Sequence, residues 1–93
     1  MPRPLFRLGD VVVTPDAAAA LRRHQVLPER LLARHWAGDW GDLDPNDRAA
    51  DDTAVHHGGR IRSAYGIGDD PDPIVIVTEP DRSATTIGRL VRR

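Results

Sequence analysis

Ile74-Val75-Ile76-Val77-Thr78-Glu79, the corner Pro80-Asp81-Arg82, and then Ala84-Thr85-Thr86-Ile87-Gly88-Arg89-Leu90 form the stretch that decides the fold. Two runs rich in β-branched residues on either side of so tight a corner read as antiparallel neighbours in one sheet. Just upstream, Gly66 to Pro73 (GIGDDPDP) is a second turn, and Arg60 to Gly66 reads as a third strand. Its alternation sends Arg60, Arg62 and Ala64 to one face and Ile61, Ser63 and Tyr65 to the other. With 61, 63 and 65 toward the helices, Ser63 becomes a half-buried hydroxyl and the arginines are exposed.

Before this meander the signals turn helical. Asp44-Pro45-Asn46-Asp47 offers a capping carboxylate, a proline at the first helical position and an acid beside the free amides, which predicts a helix over about 45–57. Its apolar face is poor, only Ala50, Ala54 and Val55, so it belongs on the surface, and Gly58-Gly59 ends it with His56 and His57 near the negative end of its dipole. Leu27-Pro28-Glu29 starts an earlier helix with Leu27, Leu31, Leu32 and Trp36 toward the core and Gly38 just past its end. Thr14-Pro15-Asp16 starts another that runs to about His24, and Leu8 to Val13 (LGDVVV) reads as an N-terminal strand. One strand, three helices and a three-stranded antiparallel meander imply an α+β fold with the helices packed on the sheet. At 93 residues and with no internal repeat, the chain is expected to be a single domain, 1–93.

Composition narrows the function classes. With 40% hydrophobic and 29% charged residues the chain has the apolar content of a folded globular protein, whose modest core suits a surface groove better than an enclosed cofactor cavity. The absence of Cys excludes disulfides, thiolate metal sites and cysteine nucleophiles. His56 and His57, adjacent on a helix, cannot both face one metal, and His35 with Asp39 is a lone pair of ligands, so neither a metal nor a cofactor is expected. Met1-Pro2-Arg3-Pro4 is followed by no apolar run of signal-peptide length, and the longest apolar stretches fall far short of a membrane span, which leads us to expect a cytoplasmic protein with no membrane partner. The net charge of −1 conceals blocks of +3 (residues 1–34), −5 (35–59), −3 (60–81) and +4 (82–93). No overall field attracts nucleic acid, although the two basic blocks can meet in space.

Three segments carry possible chemistry. His35-Trp36-Ala37-Gly38-Asp39-Trp40-Gly41-Asp42-Leu43 is richer than a helix connection requires. One reading places Trp36 in the core, Trp40 over it and Asp39 and Asp42 on loop amides; the functional reading makes Trp40 an exposed partner anchor with Asp39 and Asp42 beside it. In Thr78 to Thr86, Asp81 and Ser83 suit turn positions and Glu79 can pair with Arg82; as a site, Glu79 is a proton acceptor, Arg82 an anion clamp, and Ser83 or Thr85 an orienting donor. Arg60, at the start of its strand and near His56 and His57, completes a possible phosphate cluster.

The run Arg34-His35-x-x-Gly38-Asp39-Trp40-Gly41-Asp42-Leu43, the motif Gly-x-Arg-Ile-x-Ser-x-Tyr ending at Tyr65, and Ile76-Val-Thr-Glu-x-Asp-Arg-Ser-x-Thr-Thr-Ile87 resemble, in the same order, a family of small bacterial proteins often carried on plasmids and other mobile elements. That resemblance implies a toxin, defence or counter-defence role by association only. More weakly, helices followed by an antiparallel meander are similar in topology to the barnase-like ribonucleases, where a carboxylate and a histidine do acid–base work while arginines hold phosphate. Here the hairpin that carries the histidine in such enzymes has Pro80-Asp81-Arg82. The leading expectation is therefore a non-catalytic, protein-binding module that uses the Trp40 loop and the Glu79–Thr86 corner. The alternative is a metal-independent ribonuclease, or a degenerate relative, using Glu79 with His57 or Asp81, holding RNA phosphate on Arg60 and Arg82. In either case Asp39 or Asp42 is expected within salt-bridge reach of Arg60 or Arg82.

Overall fold

The computed structural model describes residues 4–90. Its elements are β1 (Asp10–Val13), α1 (Pro15–Arg23), α2 (Pro28–Trp36), α3 (Pro45–His57), β2 (Ile61–Tyr65), β3 (Ile74–Thr78) and β4 (Ala84–Arg89). The α+β architecture and the order of elements are those read from the sequence. The three C-terminal strands form the antiparallel meander, and β1 joins it parallel to β4, so the sheet is mixed with strand order β1-β4-β3-β2. A parallel partner for β4 follows from the chain path: α1 and α2 carry the chain away from β1, and it returns through the meander with β4 last.

Local rules explain the helix starts. Thr14 and Asp44 cap α1 and α3, their side-chain oxygens accepting the N–H groups of Ala17 and Asp47, and a proline follows each cap. At α2 the cap position is held by Leu27, which supplies no side-chain hydrogen bond. The main core lies between α1, α2 and the sheet, built from Ala17, Ala20, Leu21, Leu31, Tyr65, Ile74, Ile76 and Ile87. A smaller core of Trp40, Ala54 and Ile61, with Phe6, Leu43 and Val55 against it, joins α3 to the start of β2. The turn between β2 and β3 is anchored by Asp70, which accepts bonds from Arg89 (2.5 Å), His24 (3.2 Å) and Arg23 (3.4 Å) and so ties that turn to α1 and β4. The Asp72 amide, the Arg89 charge and the hydrogen bonds from His24 and Arg23 hold the Asp70 carboxyl below its usual range.

Two apolar expectations are corrected. Leu27, read as a core residue, is 58% exposed, because the cap position lies off the buried Leu31–His35 stripe of α2. Trp36 is 38% exposed whereas Trp40 is only 5% exposed, the reverse of the anchor reading. Gly38 (φ +87°) and Gly41 (φ +75°) reverse the chain after α2 and drive Trp40 inward, where it stacks on Phe6 and its indole N–H donates to Asp52 at 2.9 Å. A side chain at position 41 would collide with the backbone oxygen of Ala64, 2.0 Å from the ideal Cβ.

That turn also covers one edge of the sheet. The outward N–H groups of β2 are taken in succession by Asp51 Oδ1 (from Arg62, 3.0 Å), the Trp40 carbonyl (from Ala64, 3.2 Å) and Asp42 Oδ2 (from Gly66, 2.9 Å). Asp51 is 4% exposed, its Oδ2 has no hydrogen-bond partner, and burial pushes its carboxyl up to about 6. A folded-state value raised above the unfolded one means stability present at low pH and lost as pH rises through about 6. Asp51→Asn keeps an oxygen for the Arg62 amide without the buried charge. It should therefore gain about 2 kcal/mol relative to wild type between pH 4 and pH 8, measured by urea denaturation at both values.

Candidate functional site

The residues singled out in the sequence lie in two neighbouring regions, the Trp40 turn and the β3–β4 corner, joined beneath the surface by a buried polar chain. His35, Ser63, Thr78 and Thr85 are all completely buried. His35 Nδ1 meets Ser63 Oγ, His35 Nε2 lies 2.9 Å from Thr78 Oγ1, Thr78 Oγ1 lies 2.8 Å from Thr85 Oγ1, and Thr85 donates to the Leu8 carbonyl at 2.7 Å. Counting protons fixes the directions from Nε2 onward, and the neutrality of the ring fixes the one at Nδ1. Because Thr85 spends its hydrogen on Leu8, Thr78 must donate to Thr85; Nε2 must then carry the proton that reaches Thr78, and Nδ1 accepts from Ser63. The imidazole is neutral, and burial pushes its pKa down to about 4. The sequence reading considered His35 only as a metal ligand. The missed signal was its place four residues after Leu31, on the same buried face of α2, opposite inward strand positions that carry hydroxyls.

Around this chain the candidate side chains are bound into the fold. Asp39 takes a bidentate bond from Arg34 (2.7 and 3.3 Å), which holds its carboxyl below the usual range, and its backbone carbonyl accepts the Tyr65 hydroxyl at 2.6 Å. Burial pushes the Tyr65 phenol up to about 12. Asp42 serves the Gly66 amide. The expected bridges from Asp39 or Asp42 to Arg60 or Arg82 do not form: Arg60 meets Glu79 at 3.8 Å, and Arg82 faces carbonyls rather than carboxylates. The acidic turn lies along the β2 edge, whereas Arg82 projects beneath the end of α3, so their charges are satisfied separately.

At the corner, Asp81 accepts the Ser83 amide at 3.0 Å, a local turn contact. Thr85, expected as an accessible donor, is sealed in the His35 chain. Arg82 sits at φ +61°, and its guanidinium donates to Gly59 O (2.6 Å), Ala54 O (2.8 Å) and Glu79 O (3.1 Å). The Ala54 carbonyl is in the last turn of α3, so the cation completes that helix end and complements its dipole. His56 and His57 are exposed at the same helix end. Among the described residues no hydrogen bond or ion pair joins Glu79 to His57 or Asp81, and no group of three metal-ligating side chains comes together.

The open surface features lie elsewhere. Leu27 separates a groove of about 500 Å³, lined by Gln25, Val26, Arg30, Leu31 and Arg34, from one of about 280 Å³, lined by Ala18, Leu21, Arg22, Val26 and Pro28. A third hollow of about 270 Å³ carries Leu43, Asp47, Asp51, Arg60 and Arg62. Among the described residues no helix is long and apolar enough to cross a membrane. Comparison with protein-family models, with curated proteins and with solved structures finds no match to this chain.

Two outcomes test these roles. Arg82→Ala leaves the Gly59 carbonyl without its described donor, takes a second donor from the Ala54 and Glu79 carbonyls, which keep the backbone amides of Gly58 and Arg82, and removes the charge at the α3 terminus, so it should lower stability by more than about 1.5 kcal/mol in chemical denaturation. For His35, a folded pKa near 4 against 6.5 unfolded means that stability is complete above 6.5 and is lost as pH falls toward 4. In an Asp51→Asn background, which removes the opposing slope, the loss across that window should approach about 3 kcal/mol; a flat profile would refute the neutral assignment.

Proposed function

We propose that this chain is a protein-binding module whose contact surface is the α1–α2 hairpin. The observation that carries the reading is Leu27. It is 58% exposed, stands between two apolar grooves, and occupies a cap position where Ser, Thr, Asp or Asn would add about 1 kcal/mol of helix stability. Gln25, in the turn between α1 and α2, is left-handed at φ +57°, a conformation unusual for a side chain of that size. Arg22 and Arg30 flank the grooves with no carboxylate within 4.0 Å among the described residues. An apolar anchor ringed by unpaired cations suits a partner segment that presents an apolar side chain among acidic ones.

This reading moves the contact away from Trp40, whose ring is consumed by the smaller core, and from the β3–β4 corner, whose polar groups serve the turn and α3. A toxin, defence or counter-defence role would act through the same contact. The ribonuclease alternative has less support, since its carboxylate is paired with Arg60 and its histidine lies apart on α3.

The test is a photo-crosslinking residue placed at position 27 and, as a control, at Thr53 on the exposed side of α3, with both proteins expressed in the native host. Position 27 should yield a discrete crosslinked protein that is lost when Arg22 and Arg30 are changed to Glu. Equal products from both positions, or none from position 27, would overturn the assignment.

A further inference from the structure

The two edges of the sheet are treated differently. Along β2 every outward N–H is taken by the Trp40 turn or α3, as described above. Along β1 the Asp10 amide bonds Ser83 O (3.0 Å) and the Thr14 amide bonds Ile87 O (2.9 Å), so even-numbered residues point inward to β4. By the alternation of a parallel ladder, the N–H and C=O groups of Val11 and Val13 point away from the sheet, and no described residue accepts or donates there. The segment before β1 does not screen them. Leu5 bonds Trp36 O and Leu8 accepts from the inward-facing Thr85, which keeps this segment on the helix side of the sheet. Val11 and Val12, on opposite faces of β1, are 43% and 53% exposed. An uncapped β-branched edge is a template for strand addition.

We propose that a second copy of this chain occupies the β1 edge, antiparallel, with the twofold axis passing between the two Val12 residues. Only this register uses both outward residues of both copies. It sets Val11 opposite Val13 of the second copy and the reverse, giving four backbone hydrogen bonds, and it brings the two Val12 side chains together on the outer face. It also keeps the two Asp10 carboxylates apart: each falls opposite Thr14 of the second copy, the N-cap of α1, at the positive end of a helix dipole whose first turn also holds Asp16. The product is one continuous eight-stranded sheet with an isologous interface.

The size of the contact sets its strength. Four residues span about 13 Å, which places the buried area at the lower end for specific interfaces, so association is reversible and half-complete near about 100 μM. In sedimentation equilibrium from about 10 μM to 1 mM, the weight-average mass should climb from 10.3 kDa toward twice that value. Val11→Pro deletes one outward N–H while leaving the Asp10 and Thr14 bonds to β4, and Val12→Lys sets two like charges against each other across the axis. Both variants should keep the wild-type circular dichroism spectrum and stay at the monomer mass throughout, Val12→Lys serving should Val11→Pro fail to fold. A wild-type mass that stays at 10.3 kDa up to 1 mM, or folded variants that associate as the wild type does, would overturn the proposal.

Discussion

The structure depends on one run of hydrogen bonds in which no proton is spare. From Ser63 through His35, Thr78 and Thr85 to the Leu8 carbonyl it crosses β2, α2, β3, β4 and the segment that leads into β1, so five parts of the chain share one polar constraint. Buried polar groups are costly when unmatched, and a chain with a single consistent set of donor directions discriminates sharply against shifted registers. A slip of β4 that set Ala84 opposite Thr78 would leave it without its acceptor, and one that set Thr86 there would turn Thr85 and Ile87 off the buried face. The apolar core supplies the driving force for collapse; this chain of bonds selects which collapse is native.

The many acids and arginines are a second layer of the same logic. Asp42, Asp51, Asp81 and Arg82 all end on backbone groups, respectively at the β2 edge, again at the β2 edge, in the β3–β4 corner and at the end of α3. Backbone groups stranded at helix ends, strand edges and turns must be satisfied wherever water cannot reach, and short polar side chains can follow backbone turns that apolar ones cannot. A small fold has many such ends per buried residue. Most residues that look chemically interesting in this sequence are accordingly engaged in holding the fold.

The start signals of the three helices were legible in the sequence because they act locally. A proline after Thr14, Leu27 or Asp44 excludes other readings of the next turn, and alternation through Arg60–Tyr65 follows from pleat geometry alone. The class, the order of elements and the inward placing of Ile61, Ser63 and Tyr65 were determined in this way. The parallel pairing of β1 with β4 joins residues more than seventy positions apart, and no local preference encodes it. Trp36 and Trp40 exchange core and surface because two glycines with positive φ turn the chain by an amount that composition does not reveal. His35, Thr78 and Thr85 read as ordinary polar residues until packing excludes water and makes each the only available partner of the next. Local sterics were decided by the sequence; which polar group would meet which was decided by long-range packing, since only desolvation gives such a pairing its energy.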